Sequence, residues 1–334
     1  MSRKPSISPP ASEKGAALLI VLLLVASLSV IAVAIVQTVT HAYRTSGLST
    51  ARSQTLWFAV GVEDYATTKL EQALELTEGR VTRATPSFDE VITIPLEGGT
   101  IRLQLSDRSN CFNLNSLALS DEELTAADAV NPRAYFEALL GALEFEPGAI
   151  REIVDAASDW VDSDTRPRTR GAETSFYAGR DLPHAAGDTL MATPQELLAV
   201  RAMTPDRYRR LRRYVCTLPD TRIGTFNVNT LTAEDAPLLV PVFQNLIPLE
   251  RLAGQLADSQ SSIYDSPGDF LADPLFAVIA PEQRLDQLLG VESNLFRLSA
   301  EVVYLDTVSS YEAVFQRSDA GQIALLRRRL GVDE

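Results

Sequence analysis

Residues 16–36 read AALLIVLLLVASLSVIAVAIV, twenty-one positions with no charge and only two serines. At the rise of an α-helix this run is about 31 Å long, which matches the hydrocarbon core of a bilayer. The core helix of a soluble domain rarely stays apolar on every face over six turns, so the stretch reads as a membrane-spanning helix. Before it, Arg3, Lys4 and Lys14 stand against Glu13, and the first charge after it is Arg44. The positive-inside bias puts the N-terminus in the cytoplasm and the remainder of the chain across the membrane. A cleaved secretory signal is the rival reading, but the run exceeds the usual apolar length of about 7–15 residues and no small-x-small site follows it.

Polarity rises after Val36, yet helix-compatible residues continue to Gly79, with Leu56, Ala59, Tyr65, Ala66, Leu70, Ala73 and Leu74 near helical spacing. Gly47 and Gly61 mark where this helix could soften, and His41 lies just past the membrane boundary. The sequence VITIPLEGGTIRLQLSD follows, two alternating runs around Gly98-Gly99 that predict a β-hairpin with one face on a core. Strand signals then vanish until LFRLSAEVVYLDT, SSYEAVFQRSD and QIALLRRRLG at the C-terminus. An antiparallel sheet packed on the long helix and interrupted by a large helical insert explains this order, so the fold class is α+β.

The insert contains a duplication, Phe112-Asn113-Leu114-Asn115-Ser116-Leu117 and Phe226-Asn227-Val228-Asn229-Thr230-Leu231. Each copy runs into an acidic helix start, at 120–123 and 232–235, where caps and first-turn carboxylates satisfy free amides and the helix dipole. Two helical subdomains are therefore expected. The first has helices near 132–143, 147–162, 194–200 and 205–215, and the second near 233–246, 248–258 and 281–289. The resulting division is 1–15, 16–79 (spanning 16–36), 80–107, 108–216, 217–290 and 291–334.

Composition narrows the chemistry. Thirty Lys and Arg against 44 Asp and Glu leave a net charge of −14, a field that repels polyanions. No Walker A, HExxH or GxSxG sequence occurs, and two histidines, His41 and His184, leave little room for imidazole catalysis, so no enzymatic activity is expected. The densest group of potential ligands is Asp159, Asp162 and Asp164 at a helix end, with Glu173 after a Pro- and Gly-containing loop. Such a set can supply the hard oxygens that Ca²⁺ requires. It is not an EF-hand, since Arg166 and Pro167 occupy positions that motif reserves for other residues. Pairing with Arg166, Arg168 and Arg170 in a surface loop is the competing reading. Cys111 and Cys216 lie on the same side of the membrane at the edges of the first helical subdomain, where either a bridge or two buried thiols is compatible with the compartment.

Lys14-Gly15 directly before Ala16-Ala17-Leu18-Leu19-Ile20 resembles the leader junction of type IV prepilins and type II secretion pseudopilins. The resemblance implies that a prepilin peptidase cuts between Gly15 and Ala16 and that the new terminus is methylated. Those families usually carry glutamate at the fifth mature position, here Ile20. Its absence, with alanine first, resembles the K family of minor pseudopilins. The interrupted sheet, the two helical units, the DWVDSD block and the GAETSFY stretch resemble that family as well. The resemblance implies a pilin-like body, two SAM-like helical subdomains, and calcium held by Asp159, Asp162, Asp164 and Glu173. It also implies a single-pass inner-membrane protein with its C-terminal part in the periplasm, capping a pseudopilus. Its partners would be minor pseudopilins I and J and the major pseudopilin G.

The FNVNT element also resembles the opening of helix-hairpin-helix modules, which would make the chain a membrane-anchored periplasmic binding module for DNA uptake or a related system. Arg201, Arg207, Arg209, Arg210, Arg212 and Arg213 form a basic cluster, but no glycine hairpin separates the helices and aspartates surround it, so no nucleic acid is expected. The junction generates a direct prediction. Terminal sequencing or intact mass of the membrane-derived protein should give a chain beginning at Ala16; a terminus at Met1, or one beyond Val36, would contradict the prepilin-type reading.

Overall fold

The computed structural model describes residues 13–120, 130–305, 307–318 and 320–331. Leader residues 1–12 and the acidic helix start expected at 121–123 lie outside them. Helix α1 runs from Glu13 to Leu76 as 64 continuous residues, through Gly47 and Gly61 without a break. Within its stretch from Ala17 to Gly47 an 18-residue window reaches a mean hydropathy of 3.2, and none of that window is buried. Ser27, Ser29, Thr38 and Thr40 donate their hydroxyls to the carbonyl one turn back at 2.7–2.8 Å, which satisfies polar groups that an apolar surrounding cannot. In the second half, Ala59, Val62, Ala66, Leu70 and Ala73 recur every three or four residues and are buried against the sheet.

The sheet has five antiparallel strands. β1 (Val91–Leu96) and β2 (Gly99–Asp107) form the hairpin. Gly98 has φ +85°, and a Cβ on Gly99 would sit 2.0 Å from the Val303 carbonyl oxygen, so the turn and the close strand approach both need glycine.

The insert opens with β3 (Phe112–Asn113), then α2 (Pro132–Ala142), α3 (Pro147–Val161), α4 (Thr174–Tyr177), α5 (Pro205–Leu211) and β4 (Val215–Cys216). Its second part holds β5 (Phe226–Asn227), α6 (Ala236–Val242), α7 (Leu249–Asp258), α8 (Pro267–Leu271), α9 (Pro274–Ala277) and β6 (Leu289–Gly290). The chain then returns to the sheet as β7 (Leu295–Tyr304), β8 (Thr307–Arg317) and β9 (Ile323–Leu330). The order is β1-β2-β7-β8-β9, and the register of β2 with β7 sets Asp107 opposite Phe296. The insert therefore leaves and re-enters the sheet at one place. Leu103, Leu105, Phe296, Leu298, Ala313 and Phe315 face α1 as one core.

The helix expected at 281–289 is not formed. Residues 281–283 and 286–288 are single 3₁₀ turns and Leu289–Gly290 is a strand, because pairing with β5 draws the segment into extended conformation. The helix expected at 205–215 ends at Leu211 for the same reason, since Val215–Cys216 pairs with β3.

The duplicated sequence has duplicated roles. β3 pairs in parallel with β4, and β5 in parallel with β6. Asn113 Oδ1 accepts from the Asn115 amide and Asn227 Oδ1 from the Asn229 amide, at 3.1 and 2.9 Å. Asn115 then brackets Met191, and Asn229 brackets Tyr264, each accepting that residue's N–H at 2.7 Å and donating to its carbonyl at 3.0 and 2.9 Å. The two units are fused through a single core: the buried Tyr135 ring lies 5.3 Å from Phe112 and 6.0 Å from Phe226, and its hydroxyl donates to the Leu238 carbonyl at 2.5 Å.

A polar joint binds insert to sheet. Arg108 donates to the carbonyls of Arg213 and Val215 at 2.6 and 3.2 Å. Asp107 accepts from Thr230 Oγ1 and from the Ser109 amide, and Ser109 Oγ receives the amides of Asn294 and Leu295 at 2.9 and 3.0 Å. Beside it, Cys111 and Cys216 are disulfide-bonded, packed with Leu295 and Val314. The bridge closes a loop of 105 residues, so Cys111→Ser with Cys216→Ser should lower unfolding free energy by about 4–5 kcal/mol in the chain-entropy limit. Denaturant titration of oxidised protein and variant measures this; a loss below about 1 kcal/mol would assign the joint's stability to its hydrogen bonds.

Candidate metal centre

Helix α3 buries most of its last two turns, including Asp159, Trp160 and Val161. Asp162 leaves the helix with ψ 170° while its amide still bonds the Ser158 carbonyl at 3.0 Å, and the following loop returns over the helix end. Asp164 Oδ1 accepts the Arg166 amide at 2.7 Å, shaping the first bend. Arg170 donates its amide to Asp155 at 3.1 Å, pinning the returning strand of the loop. Gly171 has no room for a side chain, since a Cβ there would lie 1.8 Å from Asp159 Oδ2. Glu173 follows, buried, as the residue before α4.

Asp162, Asp164 and Glu173 each offer a carboxylate oxygen, and these oxygens lie within 4.8 Å of one another. Asp159 is not one of this trio, although its charge acts on Glu173. It accepts the Arg168 amide at 3.1 Å and the Arg168 guanidinium at 2.7 Å, and the same guanidinium also reaches Asp162 Oδ2. Arg168, read from sequence only as one of three pairing arginines, is thus the residue that ties α3 to the loop. Asp188 was missed altogether. It contributes negative charge at Glu173 and sits at φ +47°, in a segment tied back by the Ala186 amide bonding Thr174 Oγ1 at 2.9 Å. The only sequence signal was an acid after Gly187.

The electrostatics are those of an unbalanced acidic cluster. Burial first, then the charges of Asp159, Asp162, Asp188 and Asp164, push the Glu173 carboxyl up to about 7. Burial also raises Asp159, opposed by its bonds to Arg168. Asp162 Oδ1 and Glu173 Oε1 are buried with no hydrogen-bond partner among the described residues. An all-oxygen donor set with two orphaned anionic acceptors fits a hard divalent cation. Asp162, Asp164 and Glu173 would hold it, and Asp159 with Arg168 would orient Asp162.

The basic cluster of the first helical unit is largely engaged. Arg209 pairs with Asp206, Arg213 with Glu234 and Asp235, and Arg210 caps carbonyls of Leu143 and Glu144. Arg201 and Arg207 each lie 3.9 Å from a glutamate.

Comparison with known proteins brings these features together. Residues 110–220, which contain both cysteines and the acidic cluster, match the family model described as Type II secretion system (T2SS), protein K. The chain is 31% identical over 326 residues to type II secretion system protein K of Aeromonas hydrophila, covering 96% of this chain and 97% of that one. It is 35% identical over 234 residues to the Pectobacterium carotovorum subsp. carotovorum protein of the same name, with 70% and 71% covered. In three dimensions it matches a chain of the GspK–GspI–GspJ complex from the type 2 secretion system of enterotoxigenic Escherichia coli with a TM-score of 0.72 and 26% identity, over 84% of this chain and 97% of that one. A membrane-length apolar helix, a sheet opened by a helical insert, and agreement along 97% of the Aeromonas hydrophila protein carry one conclusion: the chain belongs to the protein K family of type II secretion minor pseudopilins.

Proposed function

We propose that the chain caps the tip of a periplasmic pseudopilus together with the I and J minor pseudopilins, with the major pseudopilin G beneath them, and promotes its assembly for export across the outer membrane. The observation that carries this reading is the match along 97% of a chain crystallised in a GspK–GspI–GspJ complex. Ile20 supports it. A carboxylate in an apolar helix is costly unless a neighbour's amine pairs with it, and a subunit with isoleucine there has no such pair to satisfy. The role is structural rather than catalytic, and the binding-module alternative has no comparable support.

The biogenesis that follows is single-pass insertion in the inner membrane, N-terminus in the cytoplasm, with cleavage by prepilin peptidase between Gly15 and Ala16 and methylation of the new terminus. The two helical units are read as SAM-like. A calcium ion at Asp162, Asp164 and Glu173 would supply the positive charge that the cluster lacks and so order the loop over α3. The two orphaned buried oxygens support this assignment.

Three outcomes are expected. Deleting the gene should alter pseudopilus length or initiation and reduce secretion; normal secretion with unchanged pseudopili would remove the tip role. Calcium at a hundredfold excess over Kd should stabilise the fold by about 2.7 kcal/mol relative to EDTA, and Asp162→Ala with Asp164→Ala should abolish the difference. Arginine pairing alone predicts a melting point indifferent to chelator and lowered by salt. The third outcome is a pH dependence. Glu173, raised to about 7 in the folded chain from 4.5, makes the metal-free protein lose stability as pH rises between those values, because the folded state holds the extra proton. A cation competes with that proton, so calcium affinity measured by calorimetry should rise about tenfold from pH 6 to pH 8; equal affinities would exclude Glu173 as a ligand.

A further inference from the structure

The face of the sheet away from α1 changes character at its free edge. β9 pairs with β8 on one side, and no strand among the described residues pairs with it on the other. Its register contains a bulge: Leu325 is opposite Phe315 and Arg327 opposite Val314, so Leu326 is the extra residue. The bulge decides where the arginines go. Ile323 and Leu325 pack toward α1, and strict alternation would send Arg327 and Arg329 to that same apolar core. The extra residue turns them instead to the opposite face, in rows with Val314 and Arg297 and with Glu312 and Ser299. Arg328 is left on the α1 side, where its Nε lies 3.5 Å from Glu63.

Helix α5 of the insert borders this row. Burial raises the Tyr208 phenol, and the charges of Arg212, Arg327, Arg329 and Arg108, all close to it, act against the rise. Carboxylates offset the group only in part: the charge of Asp89 acts with Arg297, and those of Asp235 and Glu312 act with Arg108. Glu312 lies 3.9 Å from Arg327, the Arg327 Nε is buried with no partner, and Arg212, Arg297 and Arg329 make no ion pair among the described residues. In a chain of net charge −14 this is a concentrated positive strip. It runs beside a backbone edge that no strand pairs with among the described residues and whose Leu326 and Leu330 side chains are exposed.

We infer that the outer edge of β9 is a docking site for an extended acidic segment of a partner protein, which adds as a sixth strand and sets its carboxylates against Arg327 and Arg329. Cross-strand neighbours stand about 4.5–5.5 Å apart at Cβ, close enough for charge-assisted hydrogen bonds to form directly. The backbone edge is what selects a polypeptide, because an anionic lipid head group would use the charges and leave the ladder empty. Arginine on an edge also discourages self-association, and the two roles coexist: like strands repel while an acidic one is admitted.

The test uses the full chain in detergent micelles and a fluorescent octapeptide alternating glutamate and valine, with a lysine–valine peptide as control. Binding by anisotropy should be specific to the glutamate peptide, weaken at 0.5 M salt, and fall at least tenfold for Arg327→Glu with Arg329→Glu. Arg327→Gln with Arg329→Gln gives the same direction if the reversed variant melts early, and Arg251→Glu, in α7, should leave binding unchanged. Amides of 323–330 should gain hydrogen-exchange protection in the complex. Absence of binding, equal binding of the lysine peptide, or binding that leaves these amides unprotected overturns the proposal. The edge is independent of both the acidic cluster and the tip role, so its failure leaves them standing.

Discussion

The antiparallel pairing of β2 with β7 is the constraint on which the remaining architecture depends. Because Asp107 is opposite Phe296, a large insert can be accommodated without opening the sheet. The strands that flank it also contribute Leu103, Leu105, Phe296 and Leu298 to the core shared with α1. Holding the insert's two ends together removes most of the loop-closure cost that separate entry and exit points would impose. What remains is to fix orientation. The Asp107–Arg108–Ser109 joint does so with buried polar groups, which are orientation-specific in a way that apolar contacts are not. Arg108 illustrates the expense: burial lowers its guanidinium to about 10, and three backbone carbonyls offset the lost hydration in place of a counter-ion.

Inside the insert, repetition and fusion work together. Each FNxN element uses one asparagine to turn its own backbone and the next to clasp a distant loop, which makes a short polar motif equivalent to a long-range tether. Yet the units are not beads. Tyr135 lies between Phe112 and Phe226, so a substitution there would disturb both halves, and neither half has a complete core without the other.

Much of this was legible before any coordinates. The long apolar helix follows from twenty-one uncharged residues, the hairpin from Gly98-Gly99, and the insert from the gap between strand signals. Helices α2 and α3 lie where 132–143 and 147–162 were read as helical, each opening on a proline. Other features were hidden for identifiable reasons. α8 and α9 are five and four residues long, shorter than any window in which helical periodicity can be seen, although Ser266-Pro267 and Asp273-Pro274 were start signals in themselves. The segment 281–289 has helical composition, but β5 competes for it. At the acidic cluster the sequence identified the carboxylates and not their division: buried Asp159 is held by the Arg168 amide and guanidinium, while the oxygens of the other three converge across the loop. The bulge at Leu326 left no trace in residue type, since an inserted leucine among alternating residues looks like one more strand position.

A protein in which one long apolar helix leads to a sheet and its insert also has a mechanical identity, and the Cys111–Cys216 bond defines it. Tension entering the insert through β2 meets that covalent link a few residues past Asp107 and passes directly to the second unit. The stretch between the cysteines, whose separation in sequence is 105 and whose length is about 350 Å if drawn straight, is thereby excluded from the load path. The first helical unit, with its acidic cluster, is carried by the strained backbone without being part of it.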